Sequence, residues 1–383
     1  MKIAIVGHLK HPIRKPYSGG LEMFTHALVD RLRRRGHDVT LFASGDSDAD
    51  LPIEPIVDRA TVPDSMQRFG FEDHAYIEAV EDEAYESLML RLTRRDFDVI
   101  HNNSISPIPL QFASMLPVEM VTTLHVPVLP RLRNMIAQRS AYTCGRFVNI
   151  SHSNAAVWRR LIPNQTVIHN GVDTDFWKGC ADKAPSQCDE DTACGDAYAP
   201  KPRAVWWGRI LPDKGTHFAI EAAHRAGLAI DVIGPVANDE YFQNHVETKF
   251  REGDVYHGHQ SHEDICRLVG NASVAMITPN WDEPFGLVVA EAMACGTPIA
   301  AFDRGAIAEL VTPEVGRVVP GGNVNALAFA AGECLSLSPS DCRRRARRNF
   351  SLDTMLDRYE SLFHGQAADT KSGTTVGAAL RAA

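Results

Sequence analysis

Hydrophobic positions along the chain fall into short continuous runs that alternate with runs at helical spacing. The first continuous run, Lys2–Gly7, is rich in β-branched residues, and Leu21, Phe24, Leu28 and Leu32 follow it at intervals of three or four. A short β-branched run is typical of a buried parallel strand. Apolar residues at helical spacing are typical of a helix that covers such a strand. The chain therefore begins as a strand–helix unit.

The same alternation recurs along both halves of the chain. Further short apolar runs predict strands at 38–43, 99–101, 120–125, 147–151, 166–168, 204–207, 229–233, 255–256, 274–278, 298–302 and 317–319. Alternating strands and helices predict parallel, doubly wound sheets. Because 383 residues exceed what one hydrophobic core usually supports, we predict two Rossmann-like domains with their sites in a shared cleft.

Composition and charge exclude several classes of protein. Hydrophobic residues at 44% and charged residues at 23% are ordinary for a globular protein, and a net charge of −9 argues against a nucleic-acid partner. Two basic runs, 31–35 and 343–348, are typical of solvated helix ends, with weak peripheral membrane contact as the alternative. No apolar window is long enough for a signal peptide or a membrane span, so we predict a cytoplasmic protein.

Two glycine-containing stretches could bind phosphate. The dinucleotide-binding G-x-G-x-x-G pattern and the P-loop are both absent, but Gly19 and Gly20 open a predicted helix, where backbone can approach a diphosphate. After the strand at 204–207, Arg209 offers a bidentate fork and Lys214 a mobile point charge. Two cations there could stabilise a diphosphate leaving group without a metal. The alternative is an exposed loop.

The stretch from Trp281 to Ala301 places acidic residues on both sides of a helix start. Glu283 is predicted to lie in the turn and Glu291 on the helix, seven residues intervening. The amides around 285–287 would be free to bind an anion, because the first turn of a helix has unpaired N–H groups. The alternative is an ordinary crossover with a capped helix.

Together with HNGVD at 169–173, these motifs resemble the retaining glycosyltransferases of family 4, which have the α/β GT-B fold of two facing Rossmann-like domains with an interdomain cleft. The resemblance spans about residues 1–363. On this fold we predict an N-terminal acceptor domain at 1–172, onto which a helix at about 351–363 packs back. We predict a nucleotide-sugar donor domain at 173–350 and a disordered tail at 364–383.

The resemblance also implies roles for individual residues. Arg209 and Lys214 would bind the donor diphosphate, Glu291 would accept hydrogen bonds from the ribose, and Glu283 would lie beside the transferred sugar without acting as a nucleophile. Further contacts to donor or sugar are implied for Gly19, Gly20, His125, Phe285, Gly286 and Leu287, and more loosely for Ser151. The alternative for His125 is a strand-end histidine bonded to backbone.

The predicted reaction is transfer of a hexose, with glucose from UDP-glucose as the first guess, to the hydroxyl of an unidentified acceptor, with retention. Three D-x-D runs, which begin at Asp46, Asp96 and Asp173, are short enough to arise by chance, so we predict no metal site and no further cofactor. The alternatives are a phosphorylase or epimerase on the same fold, or a catalytically silent sugar-nucleotide-binding subunit. The oligomeric state and the role of the cysteine-containing insertion at 178–202 stay open.

Overall fold

The computed structural model describes residues 1–139, 144–178 and 201–365. The predicted alternation forms two sheets in which every pair of neighbouring strands is parallel. The first sheet has the order β3-β2-β1-β4-β5-β6-β7 and the second the order β10-β9-β8-β11-β12-β13. The strands are β1 Lys2–Val6, β2 Asp38–Ser44, β3 Ile53–Val57, β4 Val99–Asn102, β5 Met120–Leu124, β6 Arg146–Asn149, β7 Thr166–Val167, β8 Arg203–Trp207, β9 Ala229–Ile233, β10 Val255–Tyr256, β11 Val274–Ile277, β12 Ile299–Asp303 and β13 Gly316–Pro320.

Helices cover both faces of each sheet. They are α1 Gly20–Arg34, α2 Thr61–Phe69, α3 His74–Leu92, α4 Ile108–Phe112, α5 Pro130–Arg139, α6 His152–Trp158, α7 Thr174–Lys178, α8 Thr216–Arg225, α9 Asp239–Tyr241, α10 His262–Asn271, α11 Leu287–Cys295, α12 Ile307–Leu310, α13 Val324–Cys334, α14 Pro339–Asn349 and α15 Leu352–Phe363. Two parallel sheets with helices on both sides confirm the predicted GT-B architecture.

Strand β3 is the one strand of the described sheets that the apolar pattern does not predict. It lies at the edge of the first sheet and contains Pro55. Proline cannot donate a ladder hydrogen bond and is tolerated at sheet edges. Its register with β2 also shifts between Ala43 and Ser44. An interrupted edge strand of this kind has no periodicity to detect.

Helix α15 belongs to the core of the first sheet although it ends the second half of the chain. Met355, Leu356 and Tyr359 are buried in the same cluster as Ile3 and Ile5 of β1. Burying each large apolar side chain contributes about 1.5–3 kcal/mol. The helix therefore fastens the end of the chain to the N-terminal sheet.

The chain crosses between the two sheets at two adjacent points. The amide of Val172 donates to the carbonyl of Phe350 at 2.8 Å, and the amide of Leu352 donates to the carbonyl of Val172 at 3.0 Å. The boundary predicted between residues 172 and 173 lies in this paired crossing. Of the predicted tail, residues 366–383 lie outside the described residues, as do 179–200 of the insertion.

The first basic run is engaged within the fold. Arg31 forms an ion pair with Asp173, and Arg35 pairs with three acidic side chains of α15, namely Asp353, Asp357 and Glu360. These pairs link the C-terminal end of α1 to the crossing and to α15.

Among the helices in the described residues, none has both the length and the apolar character needed to cross a membrane.

Candidate functional site

A cavity of about 950 Å³ lies between the two sheets, where loops leave the carboxyl ends of their strands. This is the place at which open α/β sheets bind ligands. All ten residues predicted for the site line it, namely Gly19, Gly20, His125, Arg209, Lys214, Glu283, Phe285, Gly286, Leu287 and Glu291. The two halves of the chain thus contribute to one site.

The turn before α11 presents backbone to this cavity. Gly286 is the N-cap of the helix. Its backbone φ angle is +91°, a conformation that residues with a Cβ atom rarely adopt. The following amides, at Leu287 and Val288, begin the helix and have no acceptor in a preceding turn. The ring of Phe285 is buried, so this residue can contribute to ligand binding mainly through its backbone. The turn is therefore suited to binding an anion or a sugar hydroxyl.

Lys214 and Glu283 form an ion pair on the cavity wall. Lys214 Nζ donates to Glu283 Oε2 at 2.8 Å, and Trp281 Nε1 donates to the same oxygen at 3.1 Å. The ammonium also lies 5.2 Å from the centre of the Trp281 ring. Lys214 closes a short 3₁₀ turn whose Asp213 carbonyl accepts from the amide of Asn280 at 2.6 Å. These contacts fix the cation beside the carboxylate that was predicted to face the sugar.

Arg209 is the second cation of this wall. It follows β8, its side chain is exposed to the cavity, and it has neither a hydrogen bond nor an ion pair with residues 1–139, 144–178 or 201–365. Its charge is one of the causes that lower the pKa of His11, after burial of the imidazole. A guanidinium without an internal partner can bind an anion in the cleft without first breaking a bond.

Glu291 is a buried carboxyl group that faces the same cavity from α11. Its Oε2 accepts from Trp207 Nε1 at 2.9 Å, and only 5% of the residue is exposed. Burial raises the pKa of Glu291 to about 7, although the Trp207 hydrogen bond acts in the opposite direction. Near neutral pH this group is therefore poised between its ionised and neutral forms.

Gly19 and Gly20 bring the N-terminal domain close to helix α11 of the second sheet. A Cβ atom on Gly20 would lie 2.9 Å from Leu287 Cδ1, and one on Gly19 would lie 3.1 Å from Glu22 Oε2. The first of these contacts crosses the cleft. The absence of a side chain at Gly20 therefore lets the two domains approach each other.

His125 lies just beyond β5. It is hydrogen-bonded to a side chain, whereas the alternative prediction was a strand-end histidine bonded to the backbone. Its Nε2 lies 2.7 Å from Asn103 Oδ1, and its ring packs at 4.7 Å, edge to face, on Phe24. Burial lowers its pKa to about 3, assisted by the nearby His101 and His8. At neutral pH the imidazole is neutral, with Nε2 as donor to the amide oxygen and Nδ1 left as an acceptor.

The D-x-D aspartates take part in other contacts of the fold. Asp48 binds His26, Asp96 binds Lys2 and Asp173 binds Arg31. None of these three lines the cavity within the described part of the chain.

A different group, His152, His169 and Glu309, places its potential metal-ligand atoms within 4.8 Å of one another. Its carboxylate already accepts hydrogen bonds from the amides of His152 and Ser153 and from the ring of His169. The arrangement is a contact between the two domains.

Several residues at the site are not predicted by the sequence motifs. Trp207 Nε1 donates to Glu291 and Trp281 Nε1 donates to Glu283. Ser151, which the resemblance implies only loosely, donates from Oγ across the cleft to the Pro284 carbonyl at 2.6 Å. Asn170 is buried at the cavity, and its Oδ1 has no hydrogen-bond partner in the residues that the structure describes. Asn170 lies within the HNGVD motif and Trp281 begins the stretch 281–301, whereas Trp207 carries no such local signal.

The two halves of the chain match two protein families. Residues 18–176 match Glycosyltransferase Family 4, and residues 194–349 match Glycosyl transferases group 1. HepE of Anabaena, solved in complex with UDP-glucose, superposes with a TM-score of 0.69 at 18% identity, over 95% of this chain and 100% of that one. The fold, the cleft and these matches define a glycosyltransferase, an enzyme that transfers sugar.

Two curated relatives align over nearly the whole chain. Glycogen synthase of Mycobacterium tuberculosis is 25% identical over 86% of this chain and 85% of its own length. MMP alpha-(1->4)-mannosyltransferase of Mycolicibacterium hassiacum is 25% identical over 90% of this chain and 91% of its own. The chain belongs to the GT-B glycosyltransferases of the family 4 type.

Proposed function

We propose that this enzyme transfers a hexose from a nucleoside-diphosphate sugar to an acceptor hydroxyl, with retention at the anomeric carbon and without a divalent metal. The observation that carries the proposal is the wall of the cavity formed by Arg209, Lys214 and the start of α11. Two cations and unpaired helix amides face one space, which is the arrangement that a diphosphate requires.

In this proposal the donor lies along the C-terminal domain. Arg209 and Lys214 bind the diphosphate, and Glu291 accepts hydrogen bonds from the ribose hydroxyls. Glu283 and the amides at 285–287 contact the sugar. The UDP-glucose bound to HepE makes UDP-glucose the first donor to test. The Mycolicibacterium hassiacum relative is a mannosyltransferase, so a mannose donor is the second.

Bond breaking between the anomeric carbon and the diphosphate places negative charge on the departing phosphate oxygen. Arg209 and Lys214 stabilise that charge more in the transition state than in the ground state, which is what accelerates the reaction. The acceptor oxygen attacks from the face that the phosphate leaves, and the phosphate oxygen takes its proton. No protein nucleophile is needed.

The position of Glu283 supports a role in charge stabilisation. Its carboxylate is bound by Lys214 and Trp281, so it holds the ammonium at the cavity wall. A carboxylate that is engaged by two donors is a weak nucleophile. We therefore assign Glu283 to positioning Lys214 and contacting the sugar.

The acceptor is proposed to bind on the N-terminal wall, between the loop at Lys15–Gly20 and His125. Neutral His125 can accept a hydrogen bond at Nδ1 from a sugar or acceptor hydroxyl. The remaining lining on this side is largely apolar, with Phe24, Ile105 and Val126. Domain 1–172 is accordingly proposed as the acceptor domain, and 173–350 as the donor domain.

The experiment is a transfer assay with UDP-, GDP- and ADP-linked glucose and mannose against a panel of hydroxyl acceptors. NMR of the product reports the anomeric configuration, and parallel reactions contain EDTA or inorganic phosphate. We expect a product with the donor's configuration, formed equally with EDTA. Inversion would overturn the retaining mechanism, loss with EDTA and recovery with Mn²⁺ would overturn metal independence, and dependence on inorganic phosphate would identify a phosphorylase.

A further inference from the structure

The turn at 283–286, which carries the proposed sugar contact, is anchored at three consecutive residues. The carbonyl of Glu283 accepts from the amide of Ala306 at 2.8 Å, and that of Pro284 accepts from Ser151 Oγ at 2.6 Å. The ring of Phe285 packs 6.0 Å from the ring of His169. Ser151 and His169 belong to the N-terminal domain. The place of the turn therefore depends on how the two domains meet.

One carboxylate holds the two domains together beside this turn. Glu309 accepts from the amide of His152 at 2.9 Å, from the amide of Ser153 at 3.1 Å and from His169 Nε2 at 2.5 Å. The donors come from the start of α6 and from the segment after β7, whereas Glu309 lies on α12 of the C-terminal domain. About 18% of its side chain is exposed, so solvent weakens these bonds only in part.

The same short segment binds the turn on one side and the N-terminal domain on the other. Ala306, which donates to the Glu283 carbonyl, precedes Glu309 by one helical turn, and the amide of Glu309 donates to the carbonyl of Ala306 at 3.0 Å. One residue, Ala306, therefore links Glu309 to the Glu283 carbonyl by hydrogen bonds. No other residue is required between them.

We propose that Glu309 is a positioning residue that sets Glu283 in its catalytic place when the two domains meet. The proposal rests on the proposed sugar-contacting role of Glu283. It assigns no contact with substrate to Glu309 itself. Because a misplacement of about 1 Å can cost about a hundredfold in rate, loss of Glu309 is expected to act on turnover.

The test compares Glu309→Ala with the wild-type enzyme in the transfer assay and in calorimetric titration with UDP. We expect kcat to fall about a hundredfold, as misplacement of a catalytic group predicts, while the Kd for UDP is unchanged. Glu309→Gln keeps one oxygen, which can accept from one of the two α6 amides, and should recover part of kcat. The control is Glu314→Gln, an exposed carboxylate five residues further along the chain, which should leave both values unchanged.

A double variant separates positioning from a general loss of stability. If Glu309 acts through Glu283, then Glu309→Ala causes no further loss in a Glu283→Ala background. Additive losses, an unchanged kcat in Glu309→Ala, or an equal weakening of UDP binding would each overturn the proposal. Absence of transfer by the wild-type enzyme would instead refute the proposed function, so the two failures are distinguishable.

Discussion

Replacing Glu291 by Gln tests whether this buried carboxyl group reduces the stability of the fold. Glu291 is buried, its pKa is raised from 4.5 to about 7 by burial, and Trp207 Nε1 donates to it. Between these two values the folded protein binds the proton more tightly than the unfolded chain does. The free energy of unfolding therefore decreases as the pH rises through this window, and the loss is complete above about pH 7.

The magnitude follows from the two pKa values. At 1.36 kcal/mol per unit, the charge at Glu291 lowers the free energy of unfolding by about 2–3 kcal/mol more at pH 8 than at pH 5. Gln has nearly the same shape and keeps an oxygen for the Trp207 hydrogen bond, but it never ionises. The free energy of unfolding of Glu291→Gln, minus that of the wild type, should therefore be larger at pH 8 than at pH 5. The expected change in this difference is about 2–3 kcal/mol.

The assay is urea denaturation at the two pH values, followed by tryptophan fluorescence, with Glu314→Gln as an exposed control. The same variant should bind UDP about tenfold to a hundredfold more weakly, because hydrogen bonds to a charged group contribute about 1.5–3 kcal/mol. An equal stability difference at both pH values would refute the claim that burial raises this pKa. Unchanged UDP affinity would refute the ribose contact.

The remaining predictions concern the cation and the domain contact. Lys214→Ala should lower kcat by about 10²–10³-fold, the usual loss when one preorganised charge-stabilising group is removed. Lys201 is an exposed lysine, and Lys201→Ala should leave kcat unchanged. Equal kcat values for Lys214→Ala and the wild type in a steady-state assay would exclude the leaving-group role. Gly20→Val should raise the KM for the donor and lower the rate of transfer, because the new side chain would meet Leu287 across the cleft. The control is Gly332→Ala, since a Cβ atom there meets nothing within 4 Å. Unchanged kinetics for Gly20→Val would show that the two domains need not approach each other at this point.

Much of the fold is predictable from the sequence because buried parallel strands leave a local signal. Runs such as Ala229–Ile233 are predicted with the same bounds as the structure shows, since their apolar character depends on no distant residue. Strand β3 has no such signal, because it is a half-buried edge strand broken by Pro55. Helix α14 is likewise recognisable only as a basic run, since Cys342 and Ala346 are its only buried residues and they make no apolar pattern.

Arg209, Lys214 and Glu283 are predictable because they follow predicted strands, and the carboxyl ends of parallel strands meet at one edge. His125 is predicted only through the resemblance to the family. What the motifs cannot give is which of these residues bind each other. The pairing of Lys214 with Glu283 joins residues 69 positions apart, and that of Trp207 with Glu291 joins residues 84 apart. Glu309 has no motif of its own, and its importance depends on the fold of both domains.

The central claim is that a nucleoside diphosphate binds between Arg209 and the start of α11. Calorimetric titration with UDP, GDP and ADP, on the wild-type protein and on Arg209→Gln, tests it without knowledge of the acceptor, and Arg348→Gln provides an exposed control. We predict that at least one of the three binds at one site per chain. Its affinity should fall about tenfold or more in Arg209→Gln, because a charge-assisted contact to phosphate is lost. No binding by the wild-type protein, or equal affinity in Arg209→Gln, would contradict the account.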